Sequence, residues 1–162
     1  MSLSPFWAWL EALPLSTAIG ESWWFPLLES LHVITATFVV GSILMVDLRL
    51  LGLAARQHPV GRITREVIPW TLTAFGLSAV TGVGMFLTRA SHYIDNRAFQ
   101  VKLVLLVLAG VNMAVFHFGT SRSMARWDKS SVTSAASRLA GASSLVLWVG
   151  VMLAGRWIGH LL

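Results

Sequence analysis

The chain has 162 residues, of which 56% are hydrophobic and 12% charged, with a mean hydropathy of +0.71 and a formal charge of +5. Average soluble domains carry about 25% charged residues, so a lipid-embedded fold is expected, with no room for a separate soluble module. Cysteine is absent, which excludes disulfides, iron–sulfur clusters and thiolate metal sites. The basic residues fall between apolar runs and form no continuous patch, which excludes nucleic acid as a partner.

Phe6, Trp7, Leu10 and Leu13 recur at helical spacing before Pro14. They predict a short amphipathic helix lying on the membrane surface, with an unstructured tail as the competing reading. The first positive residue is Arg49, so no basic signal-peptide start is visible. Four apolar spans follow, at 23–48, 68–87, 99–118 and 139–162. Each has roughly 20 residues or more, enough to cross about 30 Å of hydrocarbon at 1.5 Å per residue. The expected fold is all-α: a four-transmembrane-helix bundle with a short N-terminal interfacial helix, one integral membrane domain over 1–162.

Local signals support these spans. Thr64 is the expected cap of span two, with Pro69 in its first turn. Asp95 or Asn96 caps span three, and Ser130, Ser131 and Thr133 start the helix that becomes span four. Ala74, Ser78 and Gly82 line one face of span two, and Gly155 and Gly159 lie one turn apart on span four. Such stripes let helices pack closely; the sharper alternative is room for a flat macrocycle. Several of the eight tryptophans flank the spans, where interfacial indoles belong.

Arg49, Arg56, Arg62 and Arg65 share one face with Arg122, Arg126, Lys129 and Arg138, against Arg89, Arg97, Lys102 and Arg156 on the other. The two-to-one bias makes the first face cytoplasmic. Both termini are then expected in the periplasm and the protein in the bacterial inner membrane.

An ionisable residue within a span is a functional-site candidate by default. His32 lies about 13 Å along the helix from Trp23, with Glu29 on the same face at i, i+3. Glu-x-x-His is half of a di-iron carboxylate site, but no other span supplies the second half. A hydrogen-bonded Glu29–His32 pair and haem ligation by His32 with Glu29 in support stay open. His117 closes span three, about 14 Å from His32 in depth, so the two do not share one iron. His32 can pair instead with His92 or His160, and His117 with His58 or Met45. Arg156 is expected to balance Glu29 or hold an anionic group such as a haem propionate. Asp47 and Arg49 read as a topology anchor, Lys102 as a residue that snorkels outward, and Asn112 as a bond to a neighbouring helix. Met45, Met85, Met113 and Met152 offer thioethers to Cu(I), although methionine is also ordinary apolar filler. No hydrolase motif and no inverted repeat is present.

The elements "WWFPLLESLHV", "GSILMVDLRLLGL", "TGVGMFL", "YIDNRAFQVKLVLLVLAGVNMAVFH" and "GRWI", in this order over residues 22–160, resemble an uncharacterised family of bacterial four-span membrane proteins. That resemblance implies topology rather than chemistry. A weaker likeness goes to the copper-resistance D membrane domain, the membrane protoporphyrinogen oxidase and cytochrome b561-like proteins. It rests on a histidine early in the first span and another late in a later one, here His32 and His117, and it implies haem b or copper handling; the full b561 histidine set is not reproduced.

The first expectation is therefore a b-type haem protein or redox subunit exchanging electrons with a quinone or a periplasmic partner. His32 and His117 would be the ligands, with Glu29 and Arg156 in support and His160 and His92 as alternative ligands. A cofactor-free accessory or assembly subunit is the alternative, and copper or small-solute permeation the third reading. Self-association and membership of a larger membrane complex both stay open.

Overall fold

The computed structural model describes residues 4–54, 60–120 and 134–161. Among these the chain is all-α. Two short helices come first, α1 (Ser4–Glu11) and α2 (Pro14–Gly20). The long helices α3 (Trp24–Leu50) and α4 (Val60–Thr88) follow, then the single-turn-and-a-half α5 (Ala90–Asp95). Helix α6 (Arg97–Val115) continues into a π-helical turn, Phe116–Thr120, and α7 (Ala135–Leu161) closes the chain. Among the described residues, four helices are long and apolar enough to cross a membrane. Helix α3 packs along α4, α6 along α7, and a contact between α3 and α7 joins the two pairs.

The packing is inverted relative to a water-soluble bundle. Thr35, Thr71, Ser78, Thr81, Ser137 and Ser144 are buried between helices, while Val80, Trp70, Val107 and Val146 point outward. Lipid is as apolar as leucine, so large aliphatic side chains gain nothing by turning inward and small hydroxyl residues let helices approach. The hydroxyls are satisfied locally, as Thr35 donating to the Leu31 carbonyl (2.8 Å) and Thr71 to that of Val67 (3.0 Å) show. Ser42 and Thr71 also bond to each other at 2.7 Å, which registers α3 against α4. These features make the protein a multi-pass membrane protein with lipid-facing helices.

Asn96 caps α6 as expected, its side-chain oxygen accepting from the Ala98 and Phe99 amides at 2.9 and 3.2 Å. Its amide group also donates to the Ile158 carbonyl (3.2 Å), tying the start of α6 to the end of α7. The expected Asn112 bond is present: Nδ2 donates to the Ala140 carbonyl at 3.1 Å. Gly52 ends α3 with φ +73°, a left-handed turn that a side chain would disfavour.

Three expectations are corrected. Helix α4 begins at Val60, so Thr64 lies inside it rather than at its cap, and Pro69 sits in the helix interior. Hydropathy marks only the apolar part of a helix that continues beyond the lipid. Helix α7 likewise begins at Ala135, where the Ser134 hydroxyl accepts from the Ser137 amide at 3.2 Å; Ser130, Ser131 and Thr133 fall outside the described residues. The N-terminal segment forms two short helices docked on the bundle, where one helix is expected. Trp7 packs edge-on against Phe86 (5.9 Å between centroids), and a Glu11 carboxylate oxygen accepts from the Ser91 amide at 2.7 Å.

Candidate functional site

Helix α3 carries His32 about 12 Å below its Trp24 end, on the side facing α4 and α6. Its Nδ1 lies 2.9 Å from the Ser78 carbonyl oxygen and 3.2 Å from Thr81 Oγ1. A carbonyl oxygen only accepts, so Nδ1 carries the proton and Nε2 the lone pair. That Nε2 lies 3.5 Å from Lys102 Nζ on α6, where the ammonium is the donor. The third flank is Gly82. A Cβ there would stand 3.1 Å from His32 Cε1, so the absence of a side chain is what admits the ring between α3 and α4. On the far side, Gly155 of α7 lies beside Lys102, its would-be Cβ 3.5 Å from Nζ.

Lys102 is the residue that sequence reasoning misjudged. It does not snorkel; it turns inward to the imidazole. It sits in the second turn of α6, where the helix dipole disfavours a cation, and no carboxylate oxygen lies within 4.0 Å of its ammonium among the described residues. An ammonium has three donor hydrogens, and among the described residues only the His32 contact is made. The signals were present in the sequence: a lysine five residues into an apolar span, and Ser78, Thr81 and Gly82 on one face of the next helix.

The other expected site residues are dispersed. Glu29 is exposed, and His32 takes partners other than it, so the Glu29–His32 hydrogen bond is not formed. A residue at i+3 shares the helix face but not the rotation that would aim both groups at one point. Arg156, His160 and His92 are exposed near the same end of the bundle, His160 against the Trp157 ring (6.4 Å). His117 lies at the opposite end, in the π-helical turn and beside Phe118. His58 falls outside the described residues. Met45, Met113 and Met152 turn outward. No group of three or more His, Cys, Asp or Glu side chains that could hold a metal occurs among the described residues.

As arranged, these residues do not fit a haem at His32. Axial ligation needs the Nε2 lone pair, which faces Lys102, and the ring is wedged against the Gly82 backbone where a macrocycle would need open space. Gly82 makes room for an imidazole, not for a porphyrin.

Above the pair lies an aromatic layer. Phe86 and Phe99 stack at 5.6 Å, and Tyr93 contacts both at 6.1 and 5.5 Å, closing α4, α5 and α6 over the site. At the other end of the bundle, Asp47 and Arg49 are buried at 4% and 2% exposure rather than serving as a surface anchor. Ser144 of α7 lies within hydrogen-bonding reach of the Asp47 carboxyl, while Asp47 Oδ2 has no hydrogen-bond partner among the described residues.

Residues 6–161 match the model of a family described as "Family of unknown function (DUF6644)", and the chain belongs to that family. No curated protein matches the chain, and no solved structure does.

Proposed function

We propose that this protein is a membrane-embedded subunit that binds the oxygen-bearing headgroup of a quinone at Lys102 and His32, with the electrons handled by a redox partner. One observation carries the reading: a lysine ammonium is turned into the helix bundle against a neutral imidazole, with no carboxylate beside it among the described residues. A lysine ammonium turned into an apolar span is costly, and unmade hydrogen bonds add to that cost. A carbonyl oxygen of a ligand arriving from the lipid meets both needs. Lys102 donates to it, and the Nε2 lone pair of His32 accepts from the hydroxyl of the reduced form. The Ser78 carbonyl fixes the tautomer that turns the Nε2 lone pair toward Lys102, and a headgroup oxygen entering between the two would replace that 3.5 Å contact. The site lies about 8–12 Å below the helix ends at 1.5 Å per residue, a depth suited to an amphipathic headgroup. With the arginine-rich face in the cytoplasm of a bacterial inner membrane, both termini and this site belong to the periplasmic half, open to a periplasmic redox partner.

The test is binding of a short-chain quinone to purified protein, read by tryptophan fluorescence. Lys102→Met should weaken binding at least tenfold while the protein still melts cooperatively. Equal affinity in the variant would defeat the proposal. An absorption spectrum of protein from haem-replete cells separates the rival: a Soret band lost in His32→Ala would put haem b at this position instead. Retained folding with neither ligand would leave the cofactor-free accessory subunit.

A further inference from the structure

A second binding surface lies at the other end of the molecule, independent of the quinone reading. There the surfaces of α3 and α4 leave an outward-facing groove of about 350 Å³ between them. Phe38, Gly41, Met45, Val67 and Trp70 form its apolar walls, and Glu66 stands at its mouth. Phe38, Met45 and Trp70 are all exposed, and a Cβ at Gly41 would meet nothing within 4 Å. The Ser42–Thr71 bond holds the floor closed, so the groove is a fixed furrow rather than a gap between loose helices.

Its polar rim has a specific charge order. Arg62 Nε and Glu66 Oε1 pair at 3.0 Å with both side chains about two-thirds exposed. An exposed pair of this kind holds weakly, at about 0.3–0.5 kcal/mol, so a stronger partner can exchange into it. The rim offers a carboxylate next to the guanidinium paired with it, beside an apolar furrow. Guanidiniums bind phosphate in bidentate fashion, and a carboxylate accepts from an ammonium.

We propose that this groove holds one acyl chain of an aminophospholipid, its phosphate on Arg62 and its ammonium on Glu66. The lipid is of the phosphatidylethanolamine class, because a headgroup with phosphate alone leaves Glu66 opposed by like charge. The experiment uses the full-length protein purified in mild detergent, incubated with mixed micelles containing equal phosphatidylethanolamine and phosphatidylglycerol, with retained lipid counted by native mass spectrometry. The wild type should retain phosphatidylethanolamine severalfold over phosphatidylglycerol. Gly41→Leu, whose Cβ meets nothing within 4 Å, fills the furrow and should lower retention of both severalfold with unchanged melting. Glu66→Gln should abolish the preference while leaving total retention near the wild-type level. Equal retention of the two lipids by the wild type overturns the headgroup assignment. Undiminished retention in Gly41→Leu overturns the groove, as does a change of oligomeric state in that variant with lipid unaltered, which would assign the furrow to a second copy of the chain.

Discussion

The two ends of the bundle bury polar side chains by opposite means. Near the N-terminal helices, the His32 ring fills the space left by Gly82, and three helices meet through side chains: imidazole, hydroxyls and an ammonium. At the arginine-rich end, α3 and α7 meet backbone to backbone. A Cβ at Gly141 would stand 3.0 Å from Leu50 Cβ and 3.2 Å from the Asp47 carbonyl oxygen, and Asp47 is sealed beside that crossing. Side chains can rotate and backbones cannot. The first end can therefore admit a ligand or rearrange, whereas the second behaves as a rigid hinge pin. Function is expected where the packing is made of side chains.

The sharpest way to break this contrast is to add bulk at each end. Gly141→Leu must push α3 from α7 and should cost about 3 kcal/mol, the upper end for overpacking, seen as a large fall in melting temperature in detergent. Gly82→Leu meets the movable edge of an imidazole and should cost clearly less, although it displaces His32 and so removes quinone binding. Equal destabilisation by the two would erase the distinction between the ends.

Next in size is the polar cluster itself. His32→Ala removes the bonds to Ser78 and Thr81 and should cost about 1–2 kcal/mol, near the maximum measured for interhelical hydrogen bonds in membranes. Lys102→Met should be neutral or stabilising, because an apolar chain replaces a buried cation. If Lys102→Met destabilises as much as His32→Ala, the lysine is structural and the ligand reading loses its main support. Asn112→Ala removes one bond to α7 and should cost about 0.6 kcal/mol, the average for such a bond in a membrane protein.

The sequence made the four spans, the Asn96 cap and the Asn112 bond legible, because each depends on local composition or on a polar residue with one obvious need. His32 was legible as a buried polar group in search of a partner. Its partner was not. Lys102 is seventy positions away, and a lone lysine near a helix end has a cheaper default, extension to the interface. Pairing Glu29 with His32 by spacing alone failed because position on a face does not specify which neighbour the face meets. The docking of α1 was invisible for the same reason: Trp7 and Glu11 find Phe86 and Ser91, and neither partner leaves a mark on the N-terminal segment itself.

The smallest expected effect probes the aromatic layer above the site. Tyr93 is the one tyrosine in the chain and is 8% exposed, so phenolate absorbance reports this position without overlap from a second tyrosine. Burial pushes its pKa up; Arg89 opposes this, and the Glu29 carboxylate adds to it. The sign for stability follows. A raised pKa means the folded state keeps the proton longer than the unfolded chain, so this contribution is whole below the ordinary phenol pKa of about 10 and is lost as pH rises through the folded value. The titration midpoint should lie above that of an exposed tyrosine. Phe86→Ala, which opens the layer over the ring, should return it toward the ordinary value, and Glu29→Gln should lower it slightly. A midpoint at the ordinary value in the wild type would mean that water reaches Tyr93, and then the layer does not shield the His32–Lys102 pair from the N-terminal face either.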